Sequence, residues 1–329
     1  MLFFAVNYYQ TMEYHNSSEF AKMLDAQDEL KHFRNQFHIP QHNGTDCIYF
    51  TGNSLGLQPK TTRLYIEQEL NDWAALGVEG HFKAKNPWFP YHEFLRDNSA
   101  VLVGALPSEV VVMNQLTVNL HLMMISFYRP TADRYKIIFE KGPFPSDRYA
   151  FQSQAFLHGF DPKDALIELQ PRDGESILHT EDIIKTIEEH DESVALVCIG
   201  GVNYYTGQLF DMKAITLAAH KAGALCGFDL AHATGNVKLE LHKWNVDFAV
   251  WCSYKYLNSG PGGVAGCFVH QHHGENFELP RLAGWWGNNP EMRFTMPEQF
   301  VPMEGADGWQ LSNAPVLSMA AHRASLEIF

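Results

Sequence analysis

From about Glu109 onward the chain alternates short, continuously apolar runs with amphipathic segments, and few architectures accept that alternation. The runs are EVVVMN (109–114), RYKIIFE (134–140), ALIELQ (165–170), SVALVCIG (193–200), ALCGFDL (224–230), VDFAVWC (246–252) and GVAGCFVH (263–270). Each has strand length and lacks the polar alternation of a strand with one wet face, so each predicts a strand buried on both sides. Between several of them the spacing turns helical, as in EDIIKTIEEH (181–190) and DMKAITLAAHKAG (211–223), the latter with Gly223 as its stop. Covered strands joined by helices predict an α/β fold with a mainly parallel seven-stranded sheet. Ligands of such sheets bind beyond the carboxyl ends of the strands, so chemistry is sought there.

The flanks read differently. Residues 1–59 hold a charged helical stretch, SSEFAKMLDAQDELKHFRNQF, and the turn-rich TGNSLGLQPK, which predicts an N-terminal arm or subdomain. Residues 60–300 form the large domain of this reading. After about Gly284 the pattern loosens and then resumes helically at NAPVLSMAAHRASLEIF, so 301–329 reads as the start of a C-terminal small domain that stops in mid-helix. There is no internal repeat.

Charge and cysteine usage remove whole classes of function. A net charge of −14, spread along the chain, disfavours a nucleic-acid partner. No window has the length of a membrane span, and MLFFAV is too short and lacks the basic flank of a signal peptide, so a cytoplasmic protein is expected. On that expectation the sequons at Asn16 and Asn43 are coincidental. Cys47, Cys198, Cys226, Cys252 and Cys267 have neither disulfide nor zinc spacing, and four lie in or beside apolar runs, which predicts buried reduced thiols.

Three residues fall at carboxyl ends of expected strands. Asp229 closes ALCGFD, Lys255 follows VDFAVWC, and Thr117 follows EVVVMNQL and opens the helix VNLHLMMISFY. Singly each has an ordinary explanation: a strand-end turn for Asp229, a solvated amine for Lys255, and a helix cap worth about 1 kcal/mol for Thr117. Together they are what a pyridoxal phosphate site requires. The amine forms a Schiff base with the cofactor aldehyde, the carboxylate pairs with the ring nitrogen, and the helix N-terminus receives the phosphate.

Two other motifs point elsewhere and are set aside. SGPGGVAG (259–266) evokes a dinucleotide loop, but a strand follows where a helix is needed and no Gly-Lys-Ser/Thr appears. HQHHG (270–274) is histidine-dense, yet no partner ligand is evident nearby in the chain, so a solvated turn is expected and no metal.

In order along the chain, TGNSLGLQP, LTVNLHLMM, FPSDRYA, GFDLAHATGN, WCSYKYLNSGPGGVAG and GWWG resemble the kynureninases, from about Tyr49 to Phe329. That resemblance implies a fold-type I pyridoxal 5'-phosphate enzyme. It cleaves L-kynurenine or 3-hydroxy-L-kynurenine by hydrolysis to anthranilate or 3-hydroxyanthranilate and L-alanine, in tryptophan catabolism and NAD biosynthesis. It implies that Lys255 carries the cofactor and Asp229 binds its ring nitrogen, supported by Asp147. Phe144 stacks on the ring beside Pro145 and Ser146, Leu116 and Thr117 hold the phosphate, and His232 lines the pocket. Tyr254 reaches the phosphate and is a candidate proton donor. Trp285 and Asn313 match cofactor contacts that the partner subunit of a homodimer supplies, and Ser54 and His81 match positions near the substrate.

Two departures accompany these implications. Gly200 stands where a serine is common. The arginine that grips the substrate carboxylate lies in a C-terminal region outside this sequence. Another fold-type I enzyme, an aminotransferase or cysteine desulfurase, and a truncated relative without catalysis are the competing readings.

Overall fold

The computed structural model describes residues 13–329; the MLFFAV stretch lies outside them. Its centre is a seven-stranded sheet. The strands are β1 (Val110–Val112), β2 (Lys136–Phe139), β3 (Leu166–Glu168), β4 (Val194–Gly200), β5 (Leu225–Asp229), β6 (Phe248–Trp251) and β7 (Gly266–Val269). All seven apolar runs therefore become strands. Their spatial order is β1-β7-β6-β5-β4-β2-β3, with β2 to β6 mutually parallel and β7 antiparallel to both β1 and β6.

The absence of alternation in these runs has the expected cause. Every residue of β4 is buried, and successive residues feed opposite layers. Val197 and Ile199 join the layer of Ile183, Ile187, Ile215 and Phe228. Leu196 and Cys198 join that of Met123, Phe127, Phe151 and Phe248. A strand with helices on both sides cannot carry a polar face.

After an exposed α1 (Ser18–Gln27), the longer helices of the body are α2 (Thr62–Leu76), α3 (Glu93–Val103), α4 (Leu116–Phe127), α5 (Pro145–Leu157), α6 (Thr180–Glu189), α7 (Met212–Lys221) and α8 (Val316–Leu326). Their boundaries follow local chemistry. The Asp211 carboxylate caps α7 by accepting the Ala214 N–H at 3.0 Å, and Gly223 ends that segment at φ +74°, where a side chain would be strained. The acidic run TIEEH keeps Ile183 and Ile187 one turn apart on the buried face of α6. Helix α8 packs on α2 and α3 around Tyr91, Leu95, Met319 and Ala320. There Glu69 is buried and accepts from Asn86, Trp88 and Tyr91 at 2.8–3.0 Å.

In the N-terminal stretch, Ser17 caps α1, and α1 buries none of its residues. Among the described residues no helix is long and apolar enough to cross a membrane. Cys198, Cys226, Cys252 and Cys267 are buried and unpaired, and Cys47 is half-buried.

The polypeptide reverses at β2, with β3 on one side and β4 on the other, which opens a crevice at the carboxyl ends of the strands. The floor beneath it is tightly packed. Phe248 has no exposed surface, stacks on Phe127 at 5.0 Å between centroids, and occupies the space left by Gly227. Phe248→Ala is expected to lower unfolding stability by about 3–5 kcal/mol, read as a fall in the urea midpoint at unchanged slope.

Candidate active site

Five strand ends deliver side chains to this crevice. The end of β1 leads into α4, so Leu116 and Thr117 reach it from the helix start. The end of β2 brings Glu140, then Phe144, Ser146 and Asp147 at the start of α5. Strand β4 ends in Gly200, β5 ends in Asp229 followed by Ala231 and His232, and β6 leads to Tyr254 and Lys255. Together with Val202 and Tyr204 they line an open cleft of about 500 Å³.

Lys255 is at its centre. Its Nζ lies 2.9 Å from His232 Nε2 and 5.7 Å from the centroid of the Phe144 ring. Burial, and then the adjacent ammonium, push the His232 imidazole down to about 4, so the ring is neutral and accepts from Lys255. Burial also holds the Tyr254 phenol up at about 12, helped by the neighbouring Cys252, so Tyr254 keeps its proton and donates it in hydrogen bonds.

Opposite the amine stands an acidic wall. Glu140, Asp147 and Asp229 are all buried. Asp229 Oδ1 accepts the Ala231 N–H at 2.7 Å, which fixes its plane. Burial raises the Asp229 carboxyl; burial and the charges of Asp229 and Glu140 raise Asp147 well above the carboxylate range. Burial pushes Glu140 up to about 7. Asp147 Oδ1 has no hydrogen-bond partner, although buried acceptors are ordinarily satisfied.

The residues fit pyridoxal phosphate. A desolvated acidic wall calls for a cationic, N–H-donating partner, which a protonated pyridine ring is. Phe144, half of whose surface is open, offers a flat apolar face beside the lysine. The first turn of α4 offers N–H groups that no side chain caps, because Gln115 donates instead to the Gly262 carbonyl at 3.2 Å.

The expected site residues divide into two groups. Leu116, Thr117, Phe144, Ser146, Asp147, Asp229, His232, Tyr254 and Lys255 share the cleft, with Pro145 next to it as the first residue of α5. Thr117 is not the residue that opens α4: the helix begins at Leu116 with Gln115 at the cap position, so Thr117 stands inside the first turn. Trp285, Asn313, Ser54 and His81 do not line the cleft of the single chain. Trp285 is partly exposed against Trp286 and Phe294, and Asn313 lines a neighbouring recess with Gln115 and Val118. Ser54 precedes Gly56, whose N–H donates to the Tyr254 carbonyl at 2.8 Å, and His81 packs edge-on against Trp88.

Glu140 and Tyr204 line the cleft without a sequence expectation. Glu140 had a signal, an acid closing the apolar run KIIFE at a carboxyl end. It also accounts for Gly200. Glu140 Oε1 accepts the Gly200 N–H at 3.1 Å, and a Cβ at position 200 would stand 2.9 Å from that same oxygen. A serine there has to share its space with the buried carboxylate.

The elevated carboxyl of Glu140 has a stability consequence in the cofactor-free chain. A carboxyl whose folded value lies above its unfolded one favours the fold most in acid, and that contribution is lost as pH rises from about 4.5 to about 7. Glu140→Gln removes the titration. Urea midpoints measured across that range should show the variant gaining on the parent as pH rises, by on the order of 3 kcal/mol at the alkaline end.

Comparison with known proteins agrees with this geometry. The aminotransferase class-V family matches residues 48–292. A kynureninase of Flavobacterium psychrophilum is 60% identical over 318 residues, which is 97% of this chain and 75% of that protein. A kynureninase of the animal Nematostella vectensis is 53% identical over 95% of this chain and 70% of its own length. Among solved structures, a C-DES mutant with glycine covalently linked to its PLP cofactor superposes with a TM-score of 0.72 at 15% identity, covering 91% of this chain and 73% of that one. A cysteine desulfurase of Escherichia coli gives 0.70 at 18% identity over 91% and 71% of the two chains. These two likenesses show the fold, fold-type I, and the sequence relatives show the rest: the chain belongs to the kynureninase family, whose cofactor is pyridoxal 5'-phosphate.

Proposed function

We propose that Lys255, Asp229 and Tyr254 carry the hydrolytic cleavage of the Cβ–Cγ bond of L-kynurenine, or of its 3-hydroxy form, to anthranilate or 3-hydroxyanthranilate and L-alanine. The observation that carries this assignment is the convergence, in one crevice, of a lysine amine, a neutral histidine and a buried acidic wall.

When bound, pyridoxal phosphate supplies an electron sink for negative charge on the substrate carbons. The chain's own groups hold it and handle the protons. Lys255 would hold it covalently, Phe144 would cover its ring, and Leu116, Thr117 and Tyr254 would receive the phosphate beside Pro145 and Ser146. Asp229, its plane fixed by the Ala231 N–H, would hold its carboxylate against the ring nitrogen, with Asp147 behind it on α5. Once the substrate's own amine has taken its place on the cofactor, the freed Lys255 Nζ would be the base for the substrate Cα proton. Its contact with His232 Nε2 gives that proton a neutral acceptor within the pocket. Tyr254, held protonated by burial, donates at the oxygen or carbon where charge collects.

A homodimer completes the site in this reading. Trp285 and Asn313 do not line the cleft of their own chain, which leaves them free to serve a partner's. Ile48 and Phe50 of the arm are more than four-fifths exposed, apolar surface that a second subunit is suited to cover. A cytoplasmic location belongs to the same proposal, in keeping with five unpaired cysteines.

The cysteines described are not placed as a desulfurase nucleophile would be. Burial pushes the thiol of Cys252, the cysteine nearest the lysine, up to about 11, and raises those of Cys198, Cys226 and Cys267 as well. Cys47 lies in the arm, away from the cleft.

The purified chain should show the absorbance of lysine-bound cofactor and release fluorescent anthranilate from L-kynurenine. Pyridoxamine formation without anthranilate would move the assignment to an aminotransferase, and bound cofactor without either product to a non-catalytic relative. Lys255→Ala should abolish the lysine-bound absorbance altogether. Asp229→Ala should retain part of the cofactor while turnover falls by on the order of 10²–10³-fold, and a near-normal rate would remove Asp229 from the mechanism.

A further inference from the structure

The sheet has a second cluster of ionisable groups, at the end opposite the crevice. Strand β7 runs antiparallel to β6, pairing Val269 with Phe248, so the residues after β7 meet those before β6. Asp247 precedes β6, and the HQHHG segment follows β7. That segment is not the solvated turn its composition predicts. It forms a single helical turn, Gln271–Gly274, with His270 buried and His273 largely covered. The partners of these histidines are distant in the chain, which is why the sequence alone does not reveal them.

We propose that Asp247, His272 and His273 form a binding site for a divalent transition metal of the zinc class, which clamps the start of β6 to the end of β7. One oxygen and two nitrogens converge. Asp247 Oδ1 lies 2.6 Å from His273 Nε2 and 3.7 Å from His272 Nε2, and the two Nε2 atoms are 2.9 Å apart. Ligand atoms about 2.0–2.1 Å from a tetrahedral zinc stand roughly 3.3 Å from one another, and the three separations bracket that length. A proton can serve one edge of this triangle; a divalent cation serves all three.

The carboxylate is held for the task. Asp247 is buried, and its second oxygen accepts the Cys226 N–H at 2.7 Å and lies 2.8 Å from His220 Nε2. Such outer contacts orient a ligating carboxylate. The His273 ring is set edge-on against Phe127 at 4.9 Å, while His272 is nearly half exposed, leaving the fourth position open to solvent. Two imidazoles and a carboxylate are the donor set that zinc accepts.

A neighbouring triad, Glu109 with His242 and His270, is engaged without an ion. Glu109 takes the Leu106 and Gln271 N–H groups at 2.8 and 2.9 Å as well as His242 at 2.8 Å, which spends its lone pairs on the local backbone.

The test uses the cofactor-loaded protein, stripped with a chelator and titrated with Zn²⁺ by calorimetry and with Co²⁺ by absorbance. One equivalent per chain is expected, with the visible bands of tetrahedral Co²⁺. His272→Gln, at the exposed edge of the site, and His273→Gln, at its covered side, should each weaken binding by at least about 10-fold. His242→Gln should leave it unchanged, and anthranilate release should be the same in all three variants. Zn²⁺ should also raise the melting temperature of the parent and not of the His272→Gln/His273→Gln double variant. No stoichiometric binding, equal binding in the double variant, or a loss confined to His242→Gln would each overturn the assignment.

Discussion

Three carboxyl groups buried against one amine set the terms for the rest of this structure. Glu140, Asp147 and Asp229 come from different stretches, yet the sheet brings them to one crevice with Lys255. Burying a carboxylate is expensive unless a cation or donors compensate it. Two backbone N–H groups do part of this, from Gly200 to Glu140 and from Ala231 to Asp229. The remainder falls to Lys255 and, in the proposed function, to the ring that Lys255 would carry. Demand for a cation is thus a property of the wall itself, and in the proposed function the same demand would keep a pyridine nitrogen protonated.

The lysine is supported from behind by backbone as well as by charge. The Gly56 N–H donates to the Tyr254 carbonyl, and Asn258 Nδ2 donates to the Leu57 carbonyl at 3.0 Å. The turn-rich TGNSLGLQPK segment is therefore pinned to the loop that carries Lys255, although about two hundred residues separate them. This is how Ser54 comes near the catalytic loop without lining the cleft of its own chain. Chemistry and chain entry are coupled here through the main chain, which tolerates side-chain change better than a contact between side chains does.

The architecture was legible because its signal is one-dimensional. A strand buried on both faces must be apolar throughout, and SVALVCIG or VDFAVWC can hardly be read otherwise. Lys255 and Asp229 were legible for the same reason, as polar residues placed directly after such runs. What could not be read depends on three-dimensional pairing. Glu140 closes KIIFE in the same manner, but its importance rests on meeting Gly200 across the β2–β4 junction. The start of α4 shifts to Leu116 because Gln115 turns its side chain toward Gly262, a residue far along the chain. HQHHG looked solvated because Asp247, Glu109 and His242 are remote in sequence.

That last misreading follows from the single reversed strand. If β7 ran parallel to β6, its carboxyl end would open into the crevice, and His270, His272 and His273 would compete with the phosphate and the ring for space. Reversal sends them to the far end, where the start of β6 supplies Asp247 as a partner and the Asp247 carbonyl accepts the His270 N–H at 3.1 Å. Strand β6 is then fixed at both termini, by the imidazole cluster where it begins and by the lysine loop where it ends. A shift of β6 along its axis would disturb the two together. The Lys255 amine and Asp229 are held relative to one another by the pairing of β5 with β6 and by the backbone contacts of the loops that follow them.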